Sequence, residues 1–141
     1  MSVRYFSFTA GLAYLFVGVL GLVPSAISVP HAGDPSLVVP WGYGLLLGLF
    51  PVNVLHDAWH LGIGFWGVAS FSSFAKSQAY ARGLALLCGL LALMGLLPVL
   101  ETTFGLLPLF GYDVWLYALT SLVAACFGFL AGIRSRRLVA A

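Results

Sequence analysis

The chain has 141 residues, of which 62% are hydrophobic and only 7% are charged, and its formal net charge is +2. Soluble domains are about 45–50% apolar and about 25% charged, so this composition excludes an ordinary soluble fold and predicts a membrane protein. The weak net charge also argues against a nucleic-acid partner. A spanning helix needs roughly 20 apolar residues, which leaves room for about four spans and no separate soluble domain.

The first apolar segment, about residues 5–27, is continuous and uncharged. We interpret it as a retained span, because no clear small-residue cleavage pattern follows it. Residues 28–50 contain many prolines and glycines, which is typical of a loop, while Trp41 and Tyr43 favour the membrane interface. We expect this interfacial loop to lie at the membrane surface or to dip into it without spanning.

The remaining spans are predicted at about residues 51–71, 80–97 and 112–133. Pro51 or Asn53 begins the second span, since proline suits a first helical turn and asparagine suits an N-cap. The sequence therefore predicts an all-α membrane protein, with a single four-helix transmembrane domain over residues 1–141.

The charged residues predict the orientation of the chain in the membrane. With the N-terminus inside, every basic residue falls on the cytoplasmic side; they are Arg4, Lys76, Arg82, Arg134, Arg136 and Arg137. The acidic residues fall in the outer loops or the outer halves of spans; they are Asp34, Asp57, Glu101 and Asp113. We therefore predict that both termini are cytoplasmic.

Short motifs recur in the same order in the two halves of the chain. Gly-Leu-Val-Pro at 21–24 ends the first span, and Gly-Leu-Leu-Pro at 95–98 ends the third. Asp-Ala-Trp at 57–59 in the second span is matched by Asp-Val-Trp at 113–115 in the fourth. This internal repeat predicts two similar helical hairpins, related by a pseudo-two-fold axis along the membrane normal.

The fourth span also carries a ridge of small residues at every fourth position, where another helix can approach closely. The ridge consists of Thr120, Ala124, Gly128 and Gly132. The sequence leaves open whether the helix packed on this ridge belongs to the same chain, to a second copy or to another membrane protein subunit.

The second span holds the residues most suited to chemistry. His56 and His60 are four residues apart and hence lie on one helical face, with Asp57 near them. Ionisable groups in a membrane core are costly and normally face partners inside the bundle. One interpretation is a buried polar cluster whose hydrogen bonds join the second and fourth helices.

A second interpretation is a haem or a chlorophyll-type pigment with His56 or His60 as its axial ligand. The residues that would line its cleft are Trp59, Trp115 and Tyr117. A third is a transition metal, whose ligands would be His56, His60, Asp57 and Asp113. A fourth is a proton or ion relay through the same four side chains. Asp113 also suits the first turn of its helix, where a carboxylate interacts favourably with the helix dipole.

Two signatures resemble those of an uncharacterised bacterial membrane family, domain of unknown function 4383. They are Gly-Leu-Phe-Pro-Val-Asn-Val-Leu-His at 48–56, followed by His60, and Thr-Thr-Phe-Gly-Leu-Leu-Pro at 102–108. Tyr-Ala-Arg-Gly-Leu-Ala at 80–85 resembles the junction between them in cyanobacterial members. The resemblance implies a four-helix fold in a bacterial inner or thylakoid-type membrane, and it implies no activity.

The chain departs from the pattern of this family at three positions. Family members usually carry asparagine where this chain has Asp57, often histidine where it has Tyr117, and sometimes histidine where it has Phe110. The second departure weakens the metal interpretation here, because a histidine that would complete a ligand set is replaced.

The sequence shows no catalytic motif, since it has neither a Gly-rich phosphate loop nor a serine placed beside a base. We therefore expect a small non-enzymatic integral membrane protein. The leading hypothesis is an accessory or assembly subunit of a larger membrane complex, which the cyanobacterial resemblance suggests is photosynthetic. The alternatives are a haem-, chlorophyll- or metal-binding membrane protein that uses His56 and His60, and a small transporter or proton-conducting bundle.

Overall fold

The computed structural model describes residues 2–130 and is mostly helical. The four α-helices are α1 (Val3–Gly21), α2 (Val54–Ser70), α3 (Phe74–Gly95) and α4 (Tyr112–Ala125), and α4 continues as a π-helical turn, Cys126–Leu130. A 3-10 turn, Pro24–Ala26, and three short strands, β1 (Ile27–Ser28), β2 (Gly44–Leu46) and β3 (Phe50–Val52), lie between α1 and α2.

Within residues 2–130, three helical segments are long and apolar enough to cross a membrane. They are Val3–Gly21, Phe74–Gly95 and Tyr112–Leu130. Helix α2 is not one of them; its 17 residues span about 25 Å at the helical rise, which is shorter than a ~30 Å hydrocarbon core. The prediction of a helical membrane protein is confirmed at this level, and the fourth span stays a prediction.

Glycines bring α1 and α2 together in antiparallel directions. A Cβ atom at Gly11 would lie 2.8 Å from the carbonyl oxygen of Gly64, whereas one at Gly18 would lie 3.0 Å from the carbonyl oxygen of Asp57. Moving along α1 therefore means moving backwards along α2. The absence of side chains at these glycines lets the two helix backbones approach closely.

Helices α3 and α4 also run antiparallel, and the small-residue ridge of α4 takes part in their contact. A Cβ at Gly128 would lie 2.9 Å from the backbone nitrogen of Arg82, near the start of α3, while Gly89, later in α3, lies beside Ser121. At Gly128 the ridge therefore packs against the same chain. Ala124 is fully buried, Thr120 is half-buried, and Gly132 lies outside the described residues.

The described basic residues lie at one end of the helices. Arg4 Nε donates to the carbonyl oxygen of Phe71, just after α2 (2.9 Å), and Arg82 Nε donates to that of Gly128, in the π-helical turn (2.9 Å). Lys76 lies in the first turn of α3, at the same end. The acidic residues fall in the first turns of α2 and α4 or in the connections at the opposite end. The tail residues Arg134, Arg136 and Arg137 lie outside the described part.

Helix boundaries follow the capping residues. The Asn53 side chain accepts a hydrogen bond from the backbone nitrogen of His56, which confirms the predicted N-cap of the second helix. Helix α3 begins at Phe74, six residues before the predicted start of the third span, because the hydroxyl of Ser73 accepts from the backbone nitrogen of Lys76 (3.3 Å) and caps the helix.

The segment predicted as an interfacial loop contains a small antiparallel sheet in the order β1-β2-β3. Ile27 pairs with Leu46, and Gly44 pairs with Val52. Gly44 has to be small, since a Cβ there would lie 2.5 Å from the carbonyl oxygen of Ser28. The sheet gives ordered structure to a stretch that the turn-forming residues alone describe as a loop.

Candidate functional site: a polar cluster between the helices

Asn53 fixes the start of α2 and joins two connecting segments to it. Its amide nitrogen donates to the carbonyl oxygen of Val39 (3.0 Å) and to that of Leu106 (2.8 Å), while its side-chain oxygen accepts from the backbone nitrogen of His56 (2.9 Å). The side chain is fully buried, so these bonds replace its contacts with water. Asn53 thereby sets the position of the first turn of α2, which carries His56.

Both ring nitrogens of His56 have hydrogen-bond partners, and one of these bonds joins α2 to α4. Its Nδ1 lies 3.1 Å from the carbonyl oxygen of Pro51, and its Nε2 is hydrogen-bonded to the hydroxyl of Tyr117. A carbonyl can only accept, so Nδ1 carries the proton, and in the neutral ring Nε2 accepts from Tyr117. With both nitrogens engaged and no exposed surface, His56 has no free atom for a metal or a haem.

His60 lies one turn further along α2 and is less fully partnered. Its ring stacks on that of His56, with centroids 4.5 Å apart and an interplanar angle of 23°. The ring of Tyr14 lies on another side, with centroids 5.5 Å apart, and the Tyr14 hydroxyl is 3.3 Å from Cys88 Sγ. Nδ1 of His60 is buried and has no hydrogen-bond partner within residues 2–130.

Asp113, in the first turn of α4, joins the same group from the other side. Its Oδ2 lies 3.9 Å from Nδ1 of His56, too far for a hydrogen bond, and this oxygen has no hydrogen-bond partner in the described chain. Asp113 is only 4% exposed. The carboxylate thus lies in the first turn of α4, where it interacts favourably with the helix dipole. One of its oxygens is nevertheless a buried acceptor without a hydrogen bond in the described chain.

A cavity of about 250 Å³ lies between α1, α4 and the small sheet, and His60 and Asp113 are among the residues that line it. Its polar part is formed by His60, Asp113, Tyr14, Tyr117 and Thr120, and the rest of its lining is apolar. Phe16, Leu47 and Leu116 also line it and are themselves largely exposed on the surface. The cavity therefore has a polar floor and an apolar mouth on the side that lipid would contact. We call it the α1–α4 cavity.

Asp57 lies apart from this cluster. Its carboxylate packs against Gly21 at the end of α1, where a Cβ would lie 2.8 Å from Oδ2, and no hydrogen bond links it to the histidines among the described residues. Correspondingly, residues 2–130 contain no group of three or more His, Cys, Asp or Glu side chains that could hold a metal ion. Of the four side chains proposed as metal ligands or relay members, His56 lies beside His60 and beside Asp113, but these three do not form such a group.

The residues proposed to line a pigment cleft are dispersed. Tyr117 is buried beside His56, and Trp59 is half-buried against the core, with its indole nitrogen unpaired among the described residues. Trp115 lies on the outside and is 69% exposed. Two residues apart on a helix means about 200° around its axis, so Trp115 and Tyr117 point in different directions.

Tyr14 is the cluster residue that the sequence analysis missed. It lies in the middle of α1, contacts His60 and hydrogen-bonds with Cys88 of α3, so it connects three helices. The signal that points to it is a phenol in the centre of an apolar helix, because a buried tyrosine hydroxyl usually has a partner.

A family model described as Domain of unknown function (DUF4383) matches residues 4–130. The chain belongs to this family. The match includes His56, His60, Asp57 and Asp113, together with the residues that line the α1–α4 cavity. No curated protein and no solved structure matches the chain at a significant level.

Proposed function

We propose that all four helices cross a bacterial inner or thylakoid-type membrane, with both termini on the cytoplasmic side. The support for this orientation is the shared end of Arg4, Lys76 and Arg82 and the opposite position of the acidic residues. In this arrangement the short helix α2 is covered on one side by α1, and its polar first turns face the other helices instead of lipid.

We propose further that the protein is non-enzymatic and binds a small, mainly apolar molecule that enters the α1–α4 cavity from the lipid. One observation carries this proposal: His60 Nδ1 and Asp113 Oδ2 are both buried without partners in the described chain, and both residues line the same cavity. An unsatisfied buried polar group costs about 1–3 kcal/mol. A ligand that hydrogen-bonds to both groups removes this free-energy cost for each of them.

The chemistry of the lining defines the ligand class. Asp113 offers an acceptor, His60 offers a ring nitrogen, and apolar side chains from α1 and the sheet surround them. A molecule with a hydroxyl-type donor and a compact apolar body fits this arrangement. The cavity of about 250 Å³ is below the roughly 300–1,000 Å³ of pockets for drug-sized ligands, which favours a small molecule over a whole haem or chlorophyll ring.

Analysis of the bound small molecules tests the proposal. The protein is purified in mild detergent, and its organic extract, absorption spectrum and metal content are compared between wild type, His60→Phe and Asp113→Asn, with Glu101→Gln as the control. We expect a near-stoichiometric organic molecule in wild type and control that is depleted in both cavity variants. An extract with no such molecule, or with equal amounts in all four proteins, contradicts the proposal. A Soret or pigment band, or stoichiometric metal, favours the cofactor alternatives instead.

A second proposed function is the accessory or assembly subunit of a larger membrane complex, and one feature of α2 favours it. Ala58 and Gly62 are four residues apart on its exposed face, and a Cβ at Gly62 would meet nothing within 4 Å among the described residues. Small residues at this spacing let a second helix pack closely. In mild detergent the protein should migrate within a larger assembly that Gly62→Leu disrupts and Ala79→Leu, on an exposed position of α3, does not. Migration as a homogeneous monomer contradicts it.

A further inference from the structure

A second cavity, of about 530 Å³, lies where α1 ends and α2 begins. It is bordered by the end of α1, the start of α2 and two pieces of the connection between them, residues 27–30 and 40–43. It shares no lining residue with the α1–α4 cavity among those described. We call it the outer cavity, because it lies at the end of the helices opposite to the basic residues.

Asp57 alone is charged among the described residues that line the outer cavity. The residue is 1% exposed, and its Oδ1 has no hydrogen-bond partner within residues 2–130. The carboxylate lies over the Cα of Gly21, and any side chain at that position would overlap it. The glycine of the Gly-Leu-Val-Pro motif thus makes room for a buried acid, one oxygen of which has no partner in the described part of the chain.

Two aromatic residues form part of the same lining, and hydrogen bonds fix the side chain of one and the backbone of the other. The Tyr43 hydroxyl donates to the carbonyl oxygen of Pro35 (2.8 Å), and the backbone nitrogen of Val54 donates to the carbonyl oxygen of Trp41 (3.0 Å). Burial, and then the nearby Asp34, raise the pKa of Tyr43 above its ordinary value, so its ring stays neutral. The Trp41 side chain is largely exposed and forms the rim.

We propose that the outer cavity binds an ammonium group carried by a partly apolar organic molecule, with Asp57 as its counter-charge and Trp41 and Tyr43 as its aromatic walls. Aromatic faces attract cations, and tryptophan does so best. Calcium is a poor fit, because it takes six to eight oxygen ligands and Asp57 is the one carboxylate among the described lining residues. The volume of about 530 Å³ lies within the roughly 300–1,000 Å³ typical of small-molecule pockets.

The ammonium group has two natural sources, a free amine and the headgroup of an ethanolamine lipid, and the test separates them. In the first arm, calorimetric titration measures the binding of phenethylammonium to the full-length protein in an uncharged detergent, with phenethyl alcohol as the neutral probe. In the second arm, native mass spectrometry counts the lipids retained from nanodiscs of phosphatidylethanolamine or phosphatidylglycerol. Wild type, Asp57→Asn and Trp41→Ala are compared with Glu101→Gln, which removes an acid that does not line the cavity.

We expect Asp57→Asn to weaken ammonium binding at least about tenfold, because a charge-assisted hydrogen bond is lost. Trp41→Ala should weaken it about three- to fivefold, and Glu101→Gln should leave it unchanged. An Asp57-dependent response in the first arm without a retained lipid identifies a free amine, and an Asp57-dependent retained ethanolamine lipid identifies the headgroup. Binding of phenethyl alcohol as tightly as the amine, or equal binding to Asp57→Asn in both arms, overturns the proposal. Since Asp57→Asn nearly preserves shape, its unfolding midpoint in detergent verifies that the fold is retained.

Discussion

Replacement of Asn53 by alanine should destabilise the protein more than the loss of an ordinary helix cap. The alanine removes the cap of α2, which typically stabilises by about 1 kcal/mol. It also leaves the carbonyl groups of Val39 and Leu106 without the donor they have now, at about 1 kcal/mol for each lost hydrogen bond. The sum is about 3 kcal/mol, a large part of the roughly 5–15 kcal/mol that stabilises a typical domain.

Two further variants separate the contributions within this number. Asn53→Ser keeps an oxygen that can cap α2 but is too short to donate to both connections, so it should lose about 2 kcal/mol. Ser73→Ala removes a cap alone, because the Ser73 hydroxyl has one hydrogen bond among the described residues, which it accepts from the nitrogen of Lys76, and it should lose about 1 kcal/mol or less. The free energy of unfolding is measured from helical circular dichroism during titration of detergent micelles with sodium dodecyl sulfate. Equal losses in Asn53→Ala and Ser73→Ala would refute the reasoning.

Three other predictions concern the helix contacts and the orientation. Gly21→Ala should destabilise the protein by about 1–3 kcal/mol through overpacking, whereas Gly62→Ala, whose Cβ would enter open space among the described residues, should be nearly neutral; equal unfolding midpoints would contradict this. Tyr117→Phe removes the hydrogen bond that joins α4 to α2 and should cost about 0.6–1.7 kcal/mol in the same titration, and an unchanged midpoint would count against it. A membrane-impermeant maleimide should label a cysteine placed at Ser36 in intact cells but one at Ser72 only after permeabilisation, and the reverse pattern would reject the proposed orientation.

The sequence predicted the elements that depend on local chemistry. The apolar segments become helices, and Asn53 caps α2 as its residue type and position suggested. The short strands could not be predicted in the same way. Strands of two or three residues are too short to show alternation, and β3 contains Pro51, which reads as a helix start or a loop. The pairing of β1 with β2 also depends on contacts between residues about 20 apart in the chain, such as Ile27 and Leu46.

The sequence predicted which residues belong to the polar cluster better than it predicted how they are arranged. The spacing of His56 and His60 places both on one face of α2, and the structure stacks their rings. The sequence could not distinguish the two aspartates, which occur in matching motifs. In the structure Asp113 lies beside His56 and Asp57 lies against Gly21, because the direction of each carboxylate is set by the neighbouring helix. The internal repeat thus stays a prediction, and these two residues have different surroundings.

The central claim is that His60 and Asp113 hold a small molecule in the α1–α4 cavity. Native mass spectrometry of the protein released from lipid nanodiscs tests it most directly, with wild type compared with the double variant His60→Phe, Asp113→Asn. We expect one defined organic adduct on most wild-type molecules and none on the double variant. We also expect the double variant to be as stable as the wild type. A bare wild-type chain, or the same adduct on both proteins, would contradict it.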